Sequence, residues 1–397
     1  MSQLLKQSSA LFVANVKSLK RRIWISCSMI LSVTLVVLVL LGFLSMSNGF
    51  EQSLKQTGAD DIAIALGSGA ANELGSEIMP SQLHLLQSAT EIARTAEGTP
   101  ILSQELVVPV NAIEKAKGEP AVLPLRGIGA FGLEVRPSVS LVDGRMFTPG
   151  AREIVVGARL TQSYQGLALG DTITLGTSDW TVVGVFASGG SVFESEIFAD
   201  AQIVQTLFNR PNLVQSARFK VNAPADIATL AAFAESSAQL ALPIKSEREY
   251  FSSLAESTSK LILFLGWPLA VIMAIGAAIG ALTTMYSSVS DRSVEIATLR
   301  TIGFSRTAAF VSTWLEAILL TAIGCVVGIV IAFLALEGRT ASTAGNDQMQ
   351  IGFQLSLSPD IILQAVILSL IIGAIGGGLP ALNATRIPLR QALTGRA

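Results

Sequence analysis

Four long runs without a charged residue dominate the pattern of hydrophobic and polar positions along this chain, at 23–50, 261–290, 317–336 and 361–385. Each run holds at least the roughly 20 residues that an α-helix needs to cross a hydrocarbon core of about 30 Å. We therefore predict an α-helical membrane protein with four transmembrane helices, over 23–46, 261–286, 311–336 and 360–382. The first run is too long for a secretion signal and no A-x-A site follows it, so we predict a retained anchor.

Between the first two runs the pattern changes to short segments separated by Gly, Pro and Ser. We predict strands at 60–66, 216–223 and 241–246, one or two strands at 100–113, and helices at 81–94 and 226–240. These form two β-α-β units around a middle piece whose short strands, 152–157, 171–176 and 179–186, alternate with glycine turns. The expected fold is a large α+β domain over 47–258, made of 58–130 and 207–258 with an inserted β-rich lobe at 131–206.

One polar segment between the second and third runs, 287–308, has the pattern of a short amphipathic helix. Apolar and charged residues interleave along it, and Gly303 lies where a helix would end. A charged helix between two spans offers a soluble partner a place to act on the membrane part. The alternative is an ordinary solvated loop that joins two helices.

The distribution of charge predicts the orientation of the chain. Residues 1–22 hold five basic and no acidic residues, and the tail 383–397 holds three arginines and no acidic residue. Under the positive-inside rule both termini and 287–308 are cytoplasmic, whereas 47–258 and the short polar loop 337–358 lie outside. Residues 1–22 also carry an apolar stripe, which favours an amphipathic helix at the lipid headgroups over a tail without regular structure.

Candidate chemistry is sparse. No G-x-x-x-x-G-K-[ST] motif is present, because the two Lys-Ser pairs, Lys17-Ser18 and Lys245-Ser246, lack the glycines that cradle phosphate. The glycine-rich run 187–191 fits a turn. His84 is the only histidine, so we expect neither a histidine-based metal site nor a catalytic triad.

Several other polar side chains have no evident chemical role in the sequence. We interpret the two cysteines, which both lie in predicted spans, as buried packing residues, and the paired acidic residues as solvated charges; these residues are Cys27, Cys325, Asp60, Asp61, Glu194 and Glu196.

Two features of the predicted spans are unusual for a membrane helix: an ionisable residue and a set of paired glycines. Glu316 lies about a turn and a half inside the third span, where an ionisable group is costly unless it is paired. We predict a structural or coupling role, with Arg300, Arg306 or a partner protein as its counter-charge; a proton relay is the alternative. Three small-xxx-small pairs predict close helix packing and a dimer seam: Gly276/Gly280, Gly324/Gly328 and Gly373/Gly377.

Four stretches of the chain resemble the permease subunits of MacB/FtsX-like ATP-binding-cassette (ABC) systems, in the short form without a fused ATPase domain. Residues 291–306 match R-x-x-E-I-x-x-L-R-x-x-G, and a span with an early glutamate follows. Residues 141–186 match G-R-x-F and G-D-x-[IV]-x-L with a later V-V-G-V, and 380–393 match P-A-x-x-A-x-R-x-x-P-x-x-A-L. The basic lead-in and residues 48–64 match the opening of the family.

The resemblance implies a homodimeric permease of the bacterial inner membrane whose segment 287–308 docks on a separate ATPase dimer. ATP and Mg²⁺ would be bound by that ATPase, and this chain would hold no cofactor or metal and contact no nucleic acid. The implied coupling residues are Asp291, Arg292, Glu295, Ile296, Leu299, Arg300 and Gly303.

The resemblance also implies an external domain with a porter-like part and a distal lobe, which in some members meets a periplasmic adaptor and an outer-membrane channel. The scarcity of polar residues in the spans then favours mechanical transmission over a water-filled tunnel, for export or extraction of a hydrophobic or amphipathic substrate. Lipoprotein release, regulation of a cell-wall hydrolase as in FtsX, and a sensor that partners a histidine kinase are the alternatives.

Overall fold

The computed structural model describes residues 2–18, 23–237, 239–344 and 350–386. The helices in these ranges are α1 (Ser2–Ser18), α2 (Ile23–Lys55), α3 (Pro80–Ser88), α4 (Ala158–Ser163), α5 (Ala201–Leu207), α6 (Asp226–Ser236), α7 (Glu247–Asp291), α8 (Ser293–Thr301), α9 (Arg306–Leu336) and α10 (Pro359–Arg386). The strands are β1 (Ile62–Leu66), β2 (Leu102–Ile113), β3 (Pro120–Ile128), β4 (Ser140–Gly144), β5 (Glu153–Gly157), β6 (Thr172–Leu175), β7 (Ser178–Ala187), β8 (Ile197–Asp200), β9 (Ser216–Lys220), β10 (Ile244–Ser246), β11 (Thr340–Ala344) and β12 (Gln350–Gln354).

Two compact units make up the chain. We name them the helical unit (Met1–Asn48, Lys260–Arg339 and Leu355–Ala397) and the sheet domain (Gly49–Ser259 and Thr340–Gln354). Among the described helices, α2, α7, α9 and α10 are long and apolar enough to cross a membrane. This confirms the predicted class, a membrane protein with four apolar helices and a large domain of mixed α and β structure.

The core of the helical unit is built around one face of α2. Val33, Val37 and Leu41 on that face are fully buried, and they pack with small residues of the other three long helices, such as Ala270 and Ala365. The hydroxyl Oγ1 of Thr34 donates to the Gly324 carbonyl of α9 at 3.0 Å. Small side chains at these positions let the helix backbones approach closely.

A single ten-stranded sheet organises the sheet domain. Its strand order is β10-β1-β9-β2-β3-β8-β5-β7-β4, and β6 also pairs with β7. The pairs β3/β8 and β5/β7 are parallel, and the other pairs in this sheet are antiparallel.

Two apolar cores cover this sheet. One joins β1 and β9 to α3 and α6, and the other is centred on the fully buried Trp180 of β7. The second core also contains Leu106 to Leu125 of the β2/β3 hairpin, so the lobe shares its core with residues that precede the predicted range 131–206.

Several local predictions need correction. The helix predicted at 81–94 ends at Ser88, because Ile92 is buried and bridges to Val221 while Ala93 donates to the Lys220 carbonyl. Of the one or two strands expected at 100–113, the structure has one, β2. The polar loop predicted at 337–358 contains a β-hairpin, in which Thr340 pairs with Gln354 and Ser342 with Gly352. Cys27 is exposed on its helix, and only Cys325 is the buried residue that we predicted.

Candidate functional site

The short helix α8 lies between the long helices α7 and α9, as the sequence predicts. It ends at Thr301, and Gly303 follows with a φ of +110°, a conformation that favours glycine. The Phe304 amide then donates to the Leu299 carbonyl at 3.1 Å, which closes the end of the helix. The Ser305 hydroxyl accepts from the Ala308 amide at 3.1 Å and caps the start of α9.

The side chain of Arg292 joins three helices of the helical unit. Its Nη1 donates to Glu316 Oε2 of α9 at 3.2 Å, and its Nε donates to Glu295 Oε2 of α8 at 3.3 Å. Its Nη2 donates to Asn15 Oδ1 of α1. We name Asn15, Arg292 and Glu316, which are each less than a tenth exposed, the arginine node.

The arginine node changes two sequence-based expectations. Glu316 is 3% exposed, and its counter-charge is Arg292, whereas the sequence predicts Arg300, Arg306 or a partner protein in this role. Arg292 itself was expected on the partner-facing surface but is turned into the chain, because its guanidinium satisfies the buried carboxylate. Asn15 was missed, although a polar residue in the apolar stripe of α1 was the available signal.

The other predicted coupling residues divide by exposure. Ile296 is buried among Val289, Ala309 and Ala384, so it fills a groove of this chain and not of a partner. Leu299 and Arg300 are half-buried. Asp291, Glu295 and Gly303 are exposed, as are Val294 and Ile302, which the prediction did not include.

The exposed face of α8 is electrically polarised. Asp291 and Glu295 lie at its start, and Arg300 and Arg306 lie at or beyond its end. Desolvation and the neighbouring charge of Arg306 lower the pKa of Arg300, so the two guanidinium groups repel each other. Ile302 is 73% exposed and stands beside this positive end.

The glycines predicted to pack between helices differ in how closely a neighbouring helix approaches them. A Cβ added at Gly324 would lie 2.8 Å from the Ile30 carbonyl oxygen, and one added at Gly328 would lie 2.8 Å from Val37 Cγ1, so both contact α2 closely. Gly373 and Gly377 approach α9 in the same way. Around Gly276 and Gly280 of α7, in contrast, no described atom beyond the adjoining residues and the backbone of the same helix lies within 4 Å of the added Cβ.

The sheet domain contains a buried charged cluster that the sequence analysis missed. Arg126 Nη1 contacts Glu73 at 2.8 Å and Glu105 at 3.1 Å, and its Nε contacts Glu196 at 2.7 Å. Arg218 contacts Glu73, Glu105 and Glu247, and Arg136 contacts Glu105. Glu196, which we interpreted as solvated, is 8% exposed.

The arginines of this cluster keep two of its carboxylates, Glu73 and Glu105, ionised, whereas burial raises the pKa of Glu247. Burial alone raises the pKa of Glu73, but the charges of Arg126 and Arg218 outweigh it, and the pKa lies well below its ordinary value. For Glu105, likewise, burial raises the pKa but Arg136 and Arg218 bring it below the ordinary value. Such a cluster costs desolvation energy, so we interpret it as a device that fixes the relative positions of strands.

The single histidine and the glycine-rich run 187–191 occupy ordinary positions in the sheet domain. His84 lies on the exposed side of α3, and the run 187–191 forms a turn with Gly189 and Gly190 at positive φ. Among the residues that the structure describes, no group of three or more His, Cys, Asp or Glu side chains is arranged to hold a metal ion.

Models of known protein families match both parts of the chain. A family model of the MacB-like periplasmic core domain matches residues 26–236, and a model of the FtsX-like permease C-terminal matches residues 268–389. The macrolide export ATP-binding/permease protein MacB of Vibrio parahaemolyticus is 24% identical over 374 residues, which cover 88% of this chain and 54% of that protein. MacB of Hahella chejuensis is 28% identical over 240 residues, 57% of this chain and 35% of that protein.

A further relative is the ABC transporter permease YtrF of Bacillus subtilis, 29% identical over 140 residues that cover 33% of this chain and 31% of that protein. The chain thus spans between about a third and about half of the length of these curated relatives. Among solved structures, the periplasmic region of MacB from Actinobacillus actinomycetemcomitans matches with a TM-score of 0.37 and 14% identity, covering 51% of this chain and 96% of that one.

Proposed function

Because the chain belongs to the family of MacB/FtsX-like permeases, whose models match 26–236 and 268–389, we propose that it is the permease subunit of an ABC transporter. A separate ATPase dimer binds ATP and Mg²⁺ and hydrolyses the nucleotide. Both termini and α8 face the cytoplasm, and the sheet domain faces the periplasm of a bacterial inner membrane.

The exposed face of α8 is the observation that carries this proposal. Asp291 and Glu295 at one end, Arg300 at the other, and the apolar Val294 and Ile302 form a surface with both charge signs and two apolar anchors. Such a helix fits a groove on a soluble partner, because the charges make charge-assisted hydrogen bonds while the apolar side chains are buried. The ATPase groove is the proposed partner surface.

The arginine node explains how a push on α8 reaches the spans. Arg292 immediately precedes α8, and its guanidinium holds Glu316 of α9 and Asn15 of α1. Displacing α8 by itself would leave a buried carboxylate without its counter-charge, which costs several kcal/mol. We propose that α1, α8 and α9 therefore move together when the ATPase closes.

The substrate is handled on the outer side of the membrane in this proposal. Movement of the spans is passed to the sheet domain, which expels or extracts a hydrophobic or amphipathic molecule. A second copy of the chain completes the transporter and covers α7, whose most apolar stretch is only 22% buried within one copy, against 39–44% for the other three long helices.

Substituting Ile302→Asp tests the docking surface. The chain is reconstituted in lipid nanodiscs, and the binding of its cognate ABC ATPase is measured together with the stimulation of ATP hydrolysis. We expect binding to weaken at least about tenfold, because a buried apolar anchor is replaced by a charge. Phe233→Asp on α6, another apolar residue that is 57% exposed, is the matched control and should leave binding unchanged.

Equal ATPase binding by wild type and Ile302→Asp would contradict docking on α8. Failure of the wild-type chain to bind any ABC ATPase would contradict the proposed function as a whole.

A further inference from the structure

The β11/β12 hairpin, which connects α9 to α10, is held to the rest of the sheet domain through the backbone of Gly352. The Gly352 amide donates to Ser195 Oγ at 3.1 Å, and its carbonyl accepts from Arg159 Nη1. The next residue, Phe353, is fully buried and packs edge-to-face on Phe50 with ring centroids 5.5 Å apart. A polar connection between two spans therefore contains a docked element.

Arg159 is fixed in place for this contact. Its Nη2 donates to the Gly190 carbonyl at 2.9 Å and lies 3.7 Å from Glu194 Oε2, and only 8% of its side chain is exposed. Glu194 Oε1 in turn accepts the amides of Ser188 and Gly190 at 2.8 and 2.9 Å. The guanidinium has little freedom, so its hydrogen bond to Gly352 is pre-organised.

Close packing at Gly352 adds a steric constraint. A Cβ built there would lie 2.9 Å from Arg159 Cδ and 3.1 Å from Ser195 Oγ. The hairpin backbone thus lies directly on the arginine and the serine, and a side chain at this position would push it away.

The same short stretch of the sheet domain, residues 188–196, receives other connections; we name it the receiving segment. Its Val192 amide donates to Thr57 Oγ1, just beyond α2, at 3.2 Å. Its Phe193 ring packs on Phe251 of α7 with centroids 5.7 Å apart. Its Glu196 pairs with Arg126 of the buried charged cluster. Within the sheet domain, Thr57 after α2, Phe251 in the first part of α7, and Gly352 between α9 and α10 therefore all contact these nine residues.

We propose that Arg159 and Ser195 are positioning residues that latch the β11/β12 hairpin to the receiving segment, so that displacement of α9 and α10 is delivered to the β-rich lobe. The latch stays closed through the cycle, and the hairpin and the lobe move as one body. The structural part of this inference stands alone, whereas the delivery of ATP-driven motion rests on the proposed function.

Hydrogen–deuterium exchange tests the latch in the full chain in lipid nanodiscs, without any ATPase. Arg159→Ala should raise exchange in peptides that cover 350–354 and 188–196 by about tenfold, because a charge-assisted hydrogen bond that holds the hairpin is lost. Arg145→Ala is the matched control, since Arg145 pairs with Glu153 in the lobe and is 56% exposed. Unchanged exchange in Arg159→Ala would overturn the latch.

Pulsed electron paramagnetic resonance tests the delivery of motion. Spin labels are placed at Lys117→Cys, in the turn of the β2/β3 hairpin that shares its core with the lobe, and at Leu382→Cys on α10. The chain also carries Cys27→Ala and Cys325→Ala, and the cognate ATPase is added with ATP and vanadate. We expect a change in the label distance in wild type and in Arg145→Ala, but not in Arg159→Ala, with ATP hydrolysis kept within about twofold.

The same distance change in Arg159→Ala as in wild type would overturn delivery through the latch. If no ATPase binds the wild-type chain, the proposed function fails, and the exchange experiment still decides whether the latch exists.

Discussion

Arg292 is the residue on which the arrangement of α1, α8 and α9 depends, because its side chain is buried together with the carboxylate that it neutralises. Replacing Arg292 with Ala should lower the free energy of unfolding by about 3 kcal/mol, since Glu316 would remain buried without its counter-charge. Arg306→Ala, an exposed arginine at the start of α9, should change stability by less than about 0.5 kcal/mol. Thermal and denaturant unfolding in lipid nanodiscs measure both effects.

A double-mutant cycle measures the interaction energy between Arg292 and Glu316 apart from their other contacts. Arg292→Ala and Glu316→Gln should each destabilise the chain, and the double variant should recover about 2 kcal/mol of the summed loss because the two side chains contact each other. Strict additivity would mean that the two residues are not energetically coupled, and the node could not hold α8 to α9.

The buried carboxylates of the sheet domain predict a loss of stability in acid. The pKa values of Glu73 and Glu105 are lowered in the folded chain, so their contribution is complete above the ordinary value of 4.5 and is lost as the pH falls below it. Trp180 is the one tryptophan of the sheet domain, so a chain with Trp24, Trp267 and Trp314 replaced by Phe reports the unfolding of this domain by fluorescence.

We expect its free energy of unfolding to fall from pH 5 to pH 3, with a shallower slope in Glu105→Gln, in which one titrating group is gone. Equal slopes in the two chains would show that Glu105 is not held ionised. Arg145→Ala is the control for the loss of an ion pair at the surface. The Arg145–Glu153 pair is partly exposed, and surface ion pairs contribute less than about 1 kcal/mol to the free energy of unfolding.

At the scale of elements, the apolar runs predict the four long helices well, since a span needs a continuous apolar surface and leaves a clear record in the sequence. The β11/β12 hairpin leaves no such record, because its strands are short and its stabilising contacts to Arg159 and Ser195 lie more than 150 positions away. The buried charged cluster could not be predicted from the sequence for the same reason. Glu73 and Arg218 are ordinary residues individually, and only the folded sheet brings them together.

Helix packing around α9 predicts opposite outcomes for two glycines. Gly324→Ala should lower the melting temperature and cost about 1–3 kcal/mol, because the new methyl group meets the Ile30 carbonyl and Val33. Gly276→Ala on α7 meets no described atom outside the backbone of its own helix and the adjoining residues, so it should leave the stability of a single copy unchanged or slightly higher. Equal destabilisation by both changes would mean that α9 is not packed on α2 as described.

At the scale of the whole molecule, α7 is the element that one copy leaves incomplete. Its surface combines large apolar residues with Gly276 and Gly280, and no other described helix lies within 4 Å of a Cβ added at either glycine. Glycines make weak contacts with lipid chains but let another helix approach closely. We propose that a second copy of the chain covers this surface, as in the homodimer expected from the sequence.

Cross-linking through α7 tests the homodimer. The chain has two cysteines, so a variant with Cys27→Ala, Cys325→Ala and Gly276→Cys carries a single thiol. A disulfide needs Cα atoms within about 7 Å, so oxidation in native membranes should yield a product of twice 41.6 kDa only if α7 meets α7. Gly378→Cys on α10 is the control, because its Cβ is equally free of neighbours. A dimer formed through Gly378→Cys but not through Gly276→Cys would move the seam from α7 to α10.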